Sequence, residues 1–225
     1  LYLRGDSISE KHYKNISKDM LNPISFTITV NDVLMRLQKF NDGKYIHTKD
    51  RGFTFEHILH QNTDSIFNKS LNDYYLPEKN AEIPMVFISP TIINNGHLLI
   101  VSSQKIAYMT QITDNSYFDG IEFSRLFAQQ DAQNLKITSA LRMNATFPYI
   151  SPVVYLPSKP MLEVMDAGLK DNLGTDLSIQ FIRTFKEWIT QNTSGIIILQ
   201  IRARERMVLS DKQHTKSFLH SLIGP

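Results

Sequence analysis

The sequence contains no cysteine, which removes disulfide frameworks, cysteine-ligated zinc, iron–sulfur clusters and thiol nucleophiles together, and leaves the compartment unfixed. Long apolar runs are missing too. The longest aliphatic stretch, Gly195-Ile196-Ile197-Ile198-Leu199, is strand-sized, far below the roughly 18–20 residues of a membrane-spanning helix. Charge of one sign is scarce: 24 Lys+Arg stand against 22 Asp+Glu, a net charge of +2, so composition supplies no concentrated basic face for nucleic acid. Glycine and proline, nine of each, are thinly spread, and no linker, internal repeat or low-complexity tract breaks the chain. No Gly-x-Gly-x-x-Gly, Walker A, His-Glu-x-x-His or Gly-x-Ser-x-Gly segment occurs, so none of those phosphate, zinc or nucleophile-elbow devices is present.

What remains is an ordinary globular composition. At 225 residues, 42% hydrophobic and 20% charged, the chain is too apolar and too near neutral for disorder, and long enough for one substantial core. We read one domain, residues 1–225, mostly helical over 1–80, sheet-bearing over 83–206, with a C-terminal helix over 207–225. Its start at Leu1-Tyr2-Leu3 without a Met reads as a piece of something longer.

In the first third, Ser7-Ile8-Ser9-Glu10 has capping-box spacing and predicts a helix running toward Met20 and ended by Asn22-Pro23. Val33, Leu34, Leu37 and Phe40 repeat at helical period up to Asn41-Asp42-Gly43, and a further helix spans 53–60. In the middle, Met85–Ile88 and His97–Val101 are β-rich runs on either side of Asn94-Asn95-Gly96, which predicts an antiparallel hairpin with a positive-φ turn and an interruption near Pro90. Helices are expected over 119–128 and 135–145, the latter halted by Phe147-Pro148. In the last third, Met161–Met165 reads as a strand. Leu177, Phe181, Phe185 and Trp188 mark a helix over 175–191, and Gly195–Ile201, apolar on both faces, reads as a central parallel strand. Strand, helix and strand in that order predict an α/β layered fold with a mostly parallel sheet.

The chemistry that survives the motif search is Asp166-Ala167-Gly168 at the carboxyl end of a predicted strand, the edge where α/β sheets collect ligands and catalytic groups. Asp166 has two readings. It is a base whose pKa is raised by apolar neighbours such as Val164, Met165 and Leu169, or it caps a turn in which Gly168 supplies positive φ.

Around it stand Ser139-Ala140-Leu141-Arg142-Met143-Asn144-Ala145-Thr146-Phe147-Pro148, then Ser151-Pro152-Val153, then Met165-Asp166-Ala167-Gly168-Leu169-Lys170-Asp171-Asn172. In order and spacing these segments, with the hairpin at 84–103, resemble the second half of the patatin-like phospholipases over roughly Ile83 to Arg202. The resemblance implies a three-layer α/β/α fold and a lipid acyl hydrolase with a serine–aspartate dyad, no cofactor and no metal. Asp166 matches the dyad aspartate, Gly168 a turn glycine and Asn172 the asparagine that follows, while Ala167 stands where the commonest pattern has Gly. It further implies that the serine, its elbow and the oxyanion loop lie before Leu1, so that this fragment is inactive alone. A lipid or acyl-ester substrate and a membrane surface are then partners of the complete protein, and nucleic acid is not.

The alternative is a non-catalytic α/β interaction domain in which Asp166 only shapes a turn. Several smaller features read as incidental. Arg4-Gly5-Asp6 precedes the Ser7 cap, and Ser102-Ser103-Gln104-Lys105 has Ser-x-x-Lys spacing but follows a β-run. His57 and His60 sit three apart on a helix without a third ligand in register, and Arg202-Ala203-Arg204-Glu205-Arg206 reads as a solvated strand end. Asp73-Tyr74-Tyr75-Leu76-Pro77 reads as an aromatic loop, and Asn144 packs beneath the site.

Overall fold

The structure, a computed structural model, describes residues 10–28, 30, 39–42, 45–110, 118–147 and 150–202. The chain divides into two compact units, Leu1–Gly195 and Ile196–Pro225. The Ser7 cap, Arg4-Gly5-Asp6, Pro148, Arg204, Arg206 and the helix expected at 207–225 lie outside the described residues.

The first unit is mixed α/β. Among the described residues it carries eight α-helices, a two-stranded ribbon and a five-stranded sheet. Helix α1 (Glu10–Ile16) ends before the Asn22-Pro23 pair, which opens α2 (Leu21–Thr27) instead of closing α1. Proline is tolerated in a first turn because amides there have no intrahelical acceptor to lose. Phe40 likewise belongs to no helix. Strands β1 (Lys39–Asp42) and β2 (Tyr45–Thr48) pair antiparallel, so Asn41 and Asp42 lie in a strand rather than at the expected helix stop, while Val33, Leu34, Leu37 and Gly43 lie outside the described residues.

Helix α3 (Arg51–Asn62) starts at Asp50, whose carboxylate accepts from the Phe53 N–H at 2.9 Å. Helix α4 (Leu71–Lys79) takes in the Asp73–Pro77 segment expected as a loop. Its Asp73 carboxylate accepts from both the N–H and the hydroxyl of Ser70, at 2.7 and 2.9 Å, and holds the first turn closed. Those bonds also pull the Asp73 carboxyl below its usual pKa.

In the sheet, β3 (Thr91–Ile92) and β4 (Leu98–Ile100) form the expected antiparallel hairpin. Its five-residue connection, 93–97, places Gly96 at φ 76°, where the Gly96 N–H reaches the Ile92 carbonyl at 2.8 Å. The first β-run is interrupted at Ser89-Pro90 as its proline requires: Ile88 bridges Val101 before the break and β3 begins after it. Residues 119–128 are not one helix. Gly120–Glu122 is β5, paired parallel to β4, and only Phe123–Leu126 is helical, as α5. Helix α6 (Ile137–Asn144) falls inside the expected stretch. Strands β6 (Val154–Leu156) and β7 (Leu162–Met165) form a second hairpin, and β7 joins β3, completing the order β5-β4-β3-β7-β6.

This sheet is mostly antiparallel, which corrects the parallel expectation. Two of its three antiparallel pairs, β3–β4 and β6–β7, are hairpins that turn back within a few residues, too short for the crossover of a dozen or so residues that a parallel neighbour needs, while the third, β3–β7, is antiparallel across a long stretch of chain. The expected second parallel strand does not form. Residues 196–202 of the second unit have no regular secondary structure and are exposed, so no βαβ unit is completed among the described residues.

The core sits on both faces of β4. Leu99 and Val101 join Ile88, Ile92, Val164, Ala140 and Met143 in one cluster, while Ile100 points the other way to Ile106, Met109 and Leu177. Leu177 belongs to α7 (Thr175–Thr184), which Phe185 separates from α8 (Lys186–Asn192), so the helix expected over 175–191 is two shorter ones. Trp188, placed on the apolar face by periodicity, is 60% exposed.

Candidate functional site

Strand β7 delivers Asp166 to the sheet edge, and the end of α6 fixes it there. The Asp166 N–H donates to the carbonyl of Thr146 at 3.0 Å, and the buried Thr146 hydroxyl donates to the Arg142 carbonyl at 2.7 Å. The same helix end holds the first hairpin, because Asn144 Oδ1 accepts from the Ser89 N–H at 3.1 Å. One helix terminus therefore positions both the Pro90 break and the aspartate, which gives the small-residue helix and its Phe147 stop a mechanical purpose.

Asp166 precedes a short 3-10 turn, Ala167–Leu169, and its carboxylate accepts from the Gly168 N–H. Among the described residues that is the carboxylate's sole hydrogen bond. Half-burial pushes the Asp166 carboxyl above its ordinary pKa, and the Gly168 N–H opposes this in part. Of the neighbours expected to supply the burial, Val164 and Met165 are buried and Leu169 is half-exposed.

Gly168 does not supply positive φ; in this loop the left-handed residue is Gly174, at φ 65°. What Gly168 supplies is space. A Cβ there would stand 2.5 Å from Asp166 Oδ1 and 3.1 Å from Asn172 Oδ1, so the glycine's bare face lies between the two side chains. Asp166, Gly168 and Asn172 are thus brought together, and Ala167 is buried in the turn.

Two neighbours in this loop were not singled out from sequence. Asp171 is buried and spends its carboxylate on the start of α7, accepting from the Thr175 and Leu177 N–H groups at 2.7 and 3.1 Å. The N-cap position itself is held by Gly174, so the pattern of a capping residue directly before the helix does not reveal Asp171. Lys170 reaches across the sheet end to the Asp119 carboxylate and the Gly96 carbonyl, and Asp119 also pairs with His97 Nδ1. No sequence pattern announces this clasp, because its partners come from three separated segments.

The remaining candidates resolve into structural parts. Ser102 and Ser103 are buried in a loop rather than on a helix. The Ser103 hydroxyl donates to the buried Glu78 carboxylate, and Lys105 is exposed. His57 stacks on Phe53 and bonds Gln61, while burial and the nearby Lys136 push His60 below its ordinary pKa. Among the described residues no group of three His, Cys, Asp or Glu is placed to hold a metal ion, and no helix is long and apolar enough to cross a membrane. Arg202 bonds Gln200. No protein-family model, curated protein or solved structure matches this chain.

Proposed function

We propose that this chain supplies the base of a patatin-like serine acyl hydrolase. Asp166 serves a serine that lies outside these 225 residues, and the segment is inactive alone. The observation that carries this reading is the Asp166 carboxylate itself: half-buried at a strand end, held by one backbone N–H, with its pKa raised by burial toward the range useful to a base. Apolar packing on both faces of β4 supports a three-layer arrangement, with α6 on one side and α7 on the other.

In the proposed reaction the Asp166 carboxylate takes the serine hydroxyl proton as the serine oxygen attacks the ester carbonyl. The tetrahedral intermediate collapses to an acyl-serine, and the proton passes to the departing alcohol. Water then gives a proton to Asp166 while attacking the acyl-serine, Asp166 returns that proton to the serine oxygen as the acyl bond breaks, and the free acid leaves with serine and carboxylate restored. No cofactor takes part. The substrate class is a lipid or other acyl ester, met at a membrane surface.

The hydrogen bond to Gly168 favours one other reading, an α/β interaction domain in which Asp166 is a turn cap. A single experiment separates the two. The chain is expressed with its native upstream sequence and assayed on a short acyl ester, wild type against Asp166→Asn. A fall of about a hundredfold or more is expected for loss of a general base. Full activity in the variant overturns the assignment of Asp166, and an inactive wild type leaves the interaction domain.

A further inference from the structure

A cavity of about 630 Å³ opens where β5 passes into α5, and none of its lining residues belongs to the Asp166 site. Its walls are tied together by the fold. Glu122 Oε1 accepts from the Ile106 N–H at 3.1 Å and the Ser124 hydroxyl at 2.6 Å, which joins the loop carrying Lys105 to the short helix carrying Arg125. The Leu71 N–H donates to the Leu135 carbonyl at 2.9 Å, which joins the first turn of α4, with Asn72, to the segment just after Asn134. Between the 3-10 turns Ala128–Gln130 and Ala132–Asn134, Asp131 stands at φ 54°, a left-handed conformation that Asp tolerates, and its carbonyl accepts from the Asn134 N–H at 2.8 Å. The cavity is thus set by the chain's own bonds, so a ligand need not order it.

These walls carry unspent polarity of mixed kind. Asn72, Lys105, Arg125, Asp131 and Asn134 are all exposed, and among the described residues none of their side chains makes a hydrogen bond or ion pair. Lys105 and Arg125 can only donate, Asp131 can only accept, and the two amides do both. The charges of the lining cancel, Lys105 and Arg125 against Glu122 and Asp131. An anion would meet two carboxylates there and a cation two positive side chains, so net charge favours neither. A hydroxyl group donates and accepts at once, and a molecule carrying several of them matches such a lining without bringing a charge. Three alanines complete the wall and give the C–H edges of that molecule an apolar surface.

We propose that this cavity binds a neutral polyhydroxylated ligand, a sugar or polyol, through Asn72, Lys105, Arg125, Asp131 and Asn134. The volume lies in the ordinary range for small-molecule sites. The site is independent of the hydrolase reading, because no residue of it contributes to the chemistry at Asp166.

The test is saturation-transfer NMR and calorimetric titration of the 225-residue chain with maltose, glucose and myo-inositol, set against choline and citrate as charged probes. At least one neutral probe is expected to saturate with a Kd of about 1 mM or below, and to bind at least about tenfold more tightly than either charged probe. Asp131→Gly removes the carboxylate but keeps a backbone at ease with positive φ, and is expected to lose about tenfold of that affinity, as for one hydrogen bond to a charged group. Arg125→Ala is expected to lose a similar factor. Should either variant fail to fold, Lys105→Ala, a change at an exposed side chain, decides in its place. No saturation by any neutral probe, tighter binding of choline or citrate, or affinities unmoved by these substitutions would overturn the proposal. Vesicles of phosphatidylcholine with and without digalactosyldiacylglycerol distinguish the source. Asp131-dependent capture only by the vesicles that carry the glycolipid assigns a sugar headgroup, and binding confined to the soluble probes assigns a free sugar.

Discussion

Leu98-Leu99-Ile100-Val101 and Ile196-Ile197-Ile198-Leu199 are the two richest aliphatic runs in the chain, and they end in opposite environments. The first four side chains are at most 1% exposed, and the second four are 48–97% exposed. Both have the β-branched, uncharged character of a central strand. The first run has neighbours on both sides, β3 and β5, and a hydrophobic cluster on each face. The second has none among the described residues. An aliphatic run states what it is suited for, and its partners decide what it becomes.

Substitutions can break that comparison. Ile100→Ala removes side-chain atoms from a site with no exposure and is expected to lower unfolding free energy by about 3 kcal/mol in urea denaturation, while Ile198→Ala changes it by less than about 0.5. Equal losses at the two sites would show that the second run is as well packed as the first.

A smaller effect tests how the helices hold the sheet edge. A Cβ on Gly52 of α3 would occupy the space of the Arg142 guanidinium, which pairs with Asp50 and Glu56 at 3.6 and 3.4 Å. Gly52→Ala is expected to destabilise by about 1 kcal/mol through loss of this docking. In an Arg142→Met background the same change becomes stabilising by a similar amount, because alanine is the better helix former. A double-mutant cycle measures the difference.

The smallest effect is a pH dependence. Burial raises the Asp166 pKa in the folded chain above its unfolded value. The group therefore favours folding at low pH, and that contribution is lost as pH rises through the folded pKa. Asp166→Asn lacks the loss, so its stability relative to wild type rises between about pH 3 and pH 7, as paired urea titrations would show. A flat difference would mean that the carboxyl is as well solvated folded as unfolded.

The sequence makes legible those parts whose partners are local. The Asn-Gly hairpin, the α6 stretch and the β7 run before Asp166 can be read because turn chemistry and periodicity lie within one short window. Phe40 and Pro23 mislead because the same punctuation residues close a helix, open one or turn a hairpin. The parallel sheet fails because strand direction is settled by turns and by long-range pairing such as β3 with β7, which an apolar run does not carry. At the site, Asp166 can be found from its strand, whereas Lys170 meets Asp119 and Gly96 across 51 and 74 residues of sequence.

The seam between β3 and β7 pairs Thr91 with Met165 and Ile92 with Val164. Closing it encloses β4, β5, α5 and α6 in one long loop, whereas the two hairpins it joins need only short ones. Loop-closure entropy then orders the events: hairpins early, seam late, after the folding barrier has been crossed. Contacts made that late slow escape from the native state without speeding arrival. Val164→Ala is therefore expected to accelerate unfolding in stopped-flow measurements and leave refolding nearly unchanged, which makes a two-residue strand the kinetic lock on the edge that carries Asp166.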